Sequence, residues 1–105
     1  MRVAVVGAGM ASLAATTALI DNGHEVALIT APSTGAFSQA WSAHPRYGGS
    51  YAVYRPGQVT AFWEVLRRPH GRVWLAGEHA ATWTGYLEGA VESGESVAGR
   101  IHAAG

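Results

Sequence analysis

Residues 2–6 place Val3, Ala4, Val5 and Val6 in succession after Arg2, with no polar alternation. That pattern predicts a strand covered on both faces of a parallel sheet. Residues 10–22 return Leu13, Ala14, Thr17, Ala18 and Leu19 at helical spacing, and Asn22-Gly23 supplies a stop, so a helix is expected there. Residues 25–30 form a second apolar run. Strand, glycine turn, helix and strand within thirty residues is a βαβ unit. Residues 31–40, with Pro32, Ser33, Thr34, Gly35, Ser38 and Gln39, lose all periodicity and read as a connector. Residues 41–55 are aromatic and broken by glycine, which suggests irregular or short extended structure. Pro56-Gly57 opens a helix over about 57–68 with Val59, Phe62, Trp63 and Leu66 on one face, closed by Pro69-His70-Gly71. A third strand is expected at 72–76. A last helix over about 85–102 carries Leu87, Val91, Gly94, Ala98 and Ile101 as its buried stripe and Glu88, Glu92 and Glu95 toward solvent. The expected fold is a single α/β domain over residues 1–105, with a small parallel sheet in the order second, first, third and helices on its faces.

Composition narrows the chemistry. Seven arginines balance seven acidic residues, with no lysine and no block of like charge, so neither a nucleic acid nor a membrane surface is expected as the main partner. Cysteine is absent, which excludes disulfides, thiolate metal sites and thiol nucleophiles. Without lysine there is no Schiff-base chemistry. Val3 to Ile20 runs 18 residues without a charge, but a buried strand followed by a buried helix gives the same hydropathy. No signal peptide or membrane span is therefore expected, and a cytoplasmic location is the default. His24, His44, His70, His79 and His102 show no ligand spacing, so no metal site is expected. Arg67-Arg68, at a helix end, read as dipole partners and solvated charges.

The strongest local feature is Gly7-Ala8-Gly9-Met10 between the first strand and its helix. The first glycine permits the tight turn, the second lets backbone approach a pyrophosphate, and the free amides of the helix N-terminus favour that anion. Ser12 replaces the third glycine of the dinucleotide-binding pattern with another small residue. At the end of the second strand, where a carboxylate would take the ribose hydroxyls, stands Thr30, whose hydroxyl offers a weaker contact. A tight turn with no ligand is the bland alternative.

Four stretches resemble the flavin-dependent amine oxidases, the monoamine and polyamine oxidase family. They are Trp41-Ser42-Ala43-His44-Pro45-Arg46-Tyr47-Gly48-Gly49-Ser50-Tyr51, Pro56-Gly57, Arg72-Val73-Trp74-Leu75-Ala76-Gly77-Glu78-His79, and the most specific, Trp83-Thr84-Gly85-Tyr86-Leu87-Glu88-Gly89-Ala90-Val91-Glu92-Ser93-Gly94. Residues 1–30 resemble the same family's first FAD-binding segment, a Rossmann-like βαβ, and residues 41–105 its C-terminal flavin-binding segment. The resemblance implies FAD as cofactor and partner, with pyrophosphate on Gly7 to Met10. It implies a ribityl-phosphate contact near Gly77 and Glu78, and the flavin's pyrimidine end at Gly85, Tyr86 and Leu87. Helix-terminal amides there would stabilise the negative charge of reduced flavin. Tyr51 and Tyr86 match the two aromatics that flank the substrate amine in the family, and Trp41 and Trp83 would pack around the ring. Read by themselves, these aromatics are equally well explained as core packing.

The departures carry information too. The long stretch that separates the two FAD-binding halves in the family is missing, and with it the substrate domain and the flavin-facing lysine. Ser50 stands where some members carry the cysteine that attaches the flavin, so the resemblance implies non-covalent binding. The chain thus looks like an engineered or excised minimal FAD-binding domain that retains flavin redox capacity; full amine oxidase activity is not expected. Two rival readings stay open. One is a structural nucleotide-fold scaffold that binds no flavin, or only an adenine nucleotide; the other has two copies associating through the exposed flavin face or an open sheet edge.

Overall fold

A computed structural model describes residues 1–30, 43, 45, 46 and 51–105 of the chain. The elements are β1 (Arg2–Val6), α1 (Met10–Asp21), β2 (Glu25–Ile29), α2 (Gln58–Leu66), a single 3-10 turn (Glu78–Ala80) and α3 (Leu87–Ala104). β1 and β2 pair in parallel, from Arg2 opposite Glu25 to Val6 opposite Ile29, and α1 makes the crossover between them. The α/β class expected from the hydropathy pattern is present. α1 stops where Asn22 returns both its backbone N–H and its side-chain amide to the Ala18 carbonyl, and Gly23 at φ 80° donates to Ile20 O. This is a left-handed helix cap that glycine adopts without strain.

The core is a contact between two helices. Ala15, Leu19 and Ala98 are buried together, with Val3, Val5, Val26, Ala18 and Ile101 packed against them. Gly94 sits so close to α1 that an added Cβ would collide with the backbone carbonyl of Ala11. The buried face of α1 is Ala11, Ala15 and Leu19, and that of α3 is Gly89, Ala90, Ser93, Gly94, Val97 and Ala98. Leu19, Gly94 and Ala98 are buried as the expected stripes had them, whereas Leu13 and Leu87 are exposed. Close approach of two backbones selects small side chains, and bulk would hold the helices apart. α2 likewise buries none of its residues fully, and Val59 and Phe62 remain exposed.

Two further expectations are corrected. Residues 72–76 form no strand: Val73 exchanges both backbone hydrogen bonds with His70, at 2.8 and 3.0 Å, closing a tight turn around Gly71. Those groups are spent locally, and the described sheet has two strands in place of three. Nor is β1 covered on both faces among the described residues. Val3, Val5 and Val26 face the helices, whereas Ala4, Val6, Ala27 and Ile29 are exposed on the other side. α2 starts at Gln58 because Gly57 is left-handed and the Gln58 side chain accepts the Arg55 backbone N–H at 2.8 Å. α3 starts at Leu87, two residues later than expected, because Gly85 has φ 88° and Tyr86 is extended.

At the far end of α3 the His24 and His102 rings meet edge to face, 3.0 Å apart from Nε2 to Nδ1. One nitrogen must donate and the other accept, so at most one ring carries two protons. Burial holds the His24 imidazole below its ordinary 6.5, helped by the Met1 ammonium and by His102. The unfolded chain then binds more protons as pH falls below 6.5, so stability is complete above that value and declines toward the lowered folded value. Melting temperature should drop between pH 7 and pH 5.5, and His24→Gln should flatten that slope. The helix contact gives a second prediction. Gly94→Ala should cost about 2–3 kcal/mol by overpacking, roughly a 10 °C fall in Tm for a domain of this size. Gly99→Ala, on the same helix but with nothing within 4 Å of the new Cβ, should instead gain about 0.5 kcal/mol.

Candidate functional site

The glycine turn follows β1 directly. Gly7 donates its N–H to Ile29 O at 2.8 Å, extending the ladder by one bond, and then turns at φ 106°, a conformation that favours glycine. A Cβ on Gly7 would lie 3.3 Å from the Ser12 hydroxyl, so the small residue in the third position of the pattern packs against the first. Gly9 is the N-cap of α1, makes no side-chain cap bond, and has open space where a Cβ would be. No acidic residue stands in the first turn of α1. The positive end of a twelve-residue helix is therefore uncompensated and approachable, which fits an anion such as a pyrophosphate. Ala8 and Met10 are exposed beside it, and Thr30 follows β2 where Ile29 meets Gly7.

The second cluster is organised by Glu78. Its carboxylate accepts the Ala52 N–H through both oxygens, at 3.0 and 3.2 Å, and the Gly85 N–H at 2.6 Å. These bonds tie the residue after Tyr51 to the residue before Tyr86. The Tyr51 ring lies 3.9 Å from where a Cβ on Gly85 would stand. Two aromatics from segments thirty-five positions apart are thus held at the entry of α3, and both are about two-thirds exposed, at 65% and 68%. Trp83 and Leu87 are exposed next to them. Trp41 and Ser50 lie outside the described residues.

Several anchors fix the loop that carries Gly77 to Tyr86. Gly77 donates its N–H to the buried Ser93 hydroxyl at 3.2 Å, Tyr54 donates to His79 O at 2.8 Å, and Thr82 donates to Glu92 at 2.9 Å. Gly89 is buried against the Trp83 carbonyl and leaves no room for a side chain. Sequence reasoning assigned no role to Ala52, Ser93 or Gly89. The succession of small residues at 89, 90, 93 and 94 was the signal that could have exposed the close packing on this face.

Helix direction links the clusters. Gly94 abuts Ala11, Ala98 clusters with Ala15 and Leu19, and His102 reaches His24, so α1 and α3 run the same way. Both helix N-termini therefore lie at one end of the molecule, with α3 projecting about six residues, or roughly 9 Å, beyond α1. That end carries both the uncapped start of α1 and the exposed Tyr51 and Tyr86 rings. Among the described residues no group of three His, Asp or Glu side chains could hold a metal ion, and no helix is long and apolar enough to cross a membrane.

The profile of the flavin containing amine oxidoreductase family matches residues 32–102. The chain is 48% identical over 68 residues to amine oxidase [flavin-containing] B of Canis lupus familiaris, covering 62% of this chain and 13% of that protein. It is 46% identical over 63 residues to amine oxidase [flavin-containing] A of Equus caballus, covering 58% and 12%. The aligned stretch spans about an eighth of these relatives. The family match begins after β2, so the βαβ unit stands on its own geometry.

Glu78 is the contact that organises the aromatic cluster, and its removal is measurable. Glu78→Ala should unprotect the Ala52 and Gly85 amides by at least tenfold in hydrogen exchange. It should cost about 1–3 kcal/mol, the usual worth of hydrogen bonds to a charged acceptor. Glu78→Gln, which keeps an acceptor, should lie between the two.

Proposed function

The chain belongs to the flavin-containing amine oxidoreductase family, and from that membership we propose that residues 1–105 form one domain that binds FAD without a covalent link. The observation that carries this reading is the pair of parallel helix N-termini at one end of the molecule. The uncapped start of α1, behind Gly7 and Gly9, takes the pyrophosphate. The start of α3 takes the pyrimidine end of the flavin, between Tyr51 and Tyr86. In this reading Gly77 and Glu78 meet the ribityl-phosphate part and Trp83 flanks the ring. Glu78 acts there mainly as the carboxylate that sets loop geometry, since its oxygens already accept backbone N–H groups. With no cysteine in the chain and Ser50 at the matching position, the flavin is held by contacts alone.

Bound FAD supplies hydride and electron transfer. The chain's own residues bind and orient it. Tyr51 and Tyr86 offer two ring faces to a ligand above the flavin, but their exposure leaves such a ligand wet. An amine at that place gains little from exclusion of water or from fixed orientation, each worth several kcal/mol in a closed site. Flavin redox capacity with slow amine turnover is the expected behaviour. Thr30 favours a second reading. With a hydroxyl in place of a carboxylate at the ribose position, adenosine recognition is weakened, and the glycine turn could serve as a plain nucleotide-fold scaffold.

A titration of the full chain with FAD, FMN and ADP, followed by flavin fluorescence and by heat, separates these readings. FAD should bind at least tenfold more tightly than FMN or ADP, because it alone reaches both helix starts. Tyr86→Ala should weaken FAD about fivefold, from the loss of roughly 1 kcal/mol of ring stacking, and leave ADP unchanged. ADP binding as tight as FAD, with no effect of Tyr86→Ala, would mean the scaffold reading is right.

A further inference from the structure

Away from both clusters, the end of α2 and one face of α3 enclose a cleft of about 250 Å³ lined by Glu64, Arg67, Arg68, Ser96 and Arg100. Three of the seven arginines of an electrically neutral chain converge there. Two of the three guanidinium groups, those of Arg67 and Arg100, are held in place. Arg67 lies over the Trp63 ring at 4.4 Å and Arg100 over the Trp74 ring at 4.9 Å. Arg100 also donates from Nη1 to the Arg67 carbonyl at 2.9 Å. A guanidinium held over an aromatic face keeps its charge and has already lost much of its rotamer freedom. No carboxylate pairs with Arg67, Arg68 or Arg100 among the described residues, although Glu64 lines the same cleft.

The simplest account of arginines at a helix C-terminus is compensation of the helix dipole, and α2 ends here. That dipole amounts to about half a negative charge, and a single guanidinium answers it. Three guanidinium groups set against one carboxylate and that half charge leave about one and a half positive charges, and the surplus needs another explanation. A monoanion such as a carboxylate would leave part of it unmatched. A phosphoryl dianion matches all of it, with oxygens enough for three forked donors and the Ser96 hydroxyl. We propose that this cleft is a binding site for a phosphoryl dianion, either free phosphate or the terminal phosphate of a small metabolite, separate from the flavin site. Arg100 lies thirteen residues along α3 from Leu87, about 20 Å from the aromatic cluster, so one small ligand cannot occupy both.

The test is a titration of the full chain with inorganic phosphate, then with a simple phosphate monoester, at constant ionic strength. Heat and the indole N–H resonances of Trp63 and Trp74 are followed, with chloride and acetate as controls. Saturable phosphate binding that shifts both indoles is expected, at least tenfold tighter than acetate. Arg68→Gln should weaken it tenfold or more and leave melting temperature and FAD titration unchanged, since Arg68 is exposed and its side chain makes no bond among the described residues. Arg100→Gln should do the same to phosphate; its fold integrity is read from the amide spectrum. A monoester that binds more tightly than free phosphate assigns the site to a metabolite, and the reverse assigns it to the ion. A response that chloride reproduces, wild-type affinity in Arg68→Gln, or stoichiometric displacement of phosphate by FAD would each overturn the proposal. None of these results depends on whether FAD binds at the other end.

Discussion

The near-contact of the α1 and α3 backbones, with Gly94 seated on Ala11, is the constraint on which the rest of the molecule depends. Among the described residues two strands pair, and such a pair is marginal in water and does not organise a core by itself. The helices do so instead. Because Gly89, Ala90, Gly94 and Ala98 present almost no bulk, α3 lies flat against Ala11 and Ala15, and both helices keep a common direction. That common direction puts two positive helix ends on one side of the molecule. A crossing set by larger side chains would swing α3 away and separate the start of α1 from the aromatic pair.

The Glu78 carboxylate performs at the loop level what Gly94 performs at the helix level. An acidic side chain with three backbone N–H contacts satisfies donors that an irregular loop would otherwise leave to solvent. It thereby joins the Tyr51 segment to the start of α3. Ser93 and Glu92 pin the same loop from the helix side. The aromatic pair is exposed yet rigidly mounted, an arrangement suited to receiving a planar ring rather than to filling a core. Exposed aromatics without such mounting would bury themselves against the nearest apolar surface, of which the uncovered face of β1 and β2 offers one.

How much of this was legible in the sequence follows from how local each cause is. β1, α1 and β2 were placed to within a residue at most termini, because an unbroken apolar run, a glycine turn and an Asn-Gly stop are contiguous signals. The starts of α2 and α3 shifted by one and two residues, since a left-handed Gly57 or Gly85 is a matter of φ rather than of hydropathy. The third strand failed because Val73 found a partner three residues away in His70, and local turn closure outcompetes a distant ladder. The buried stripes of α1 and α3 keep Leu19, Gly94 and Ala98 where the spacing predicts them but exclude Leu13 and Leu87, because apolar ranking favours leucine whereas the close helix contact favours alanine and glycine. The Glu78 bridge was invisible because Ala52 and Gly85 contribute backbone amides, which no side-chain pattern announces. Family resemblance supplied what periodicity could not, the chemical meaning of the segment from Trp83 to Gly94, and the family match confirms that membership over residues 32–102.

Charge distribution completes the physical picture. A formal net charge of zero hides a strong separation. The carboxylates of Glu78 and Glu92 are drawn into hydrogen bonds with loop amides and hydroxyls at the aromatic end of the molecule. The arginines of α2 and α3 accumulate at the cleft, where tryptophan faces hold two of them without neutralising either. A cation stacked on an aromatic ring retains its attraction for anions, whereas one paired with a carboxylate loses most of it. Among the described residues, positive potential without a paired carboxylate stands at the start of α1 and in the arginine cleft. One arises from oriented peptides and the other from side chains. The first depends on glycines that admit an anion to the backbone. The second tolerates backbone change but depends on the indole rings beneath it.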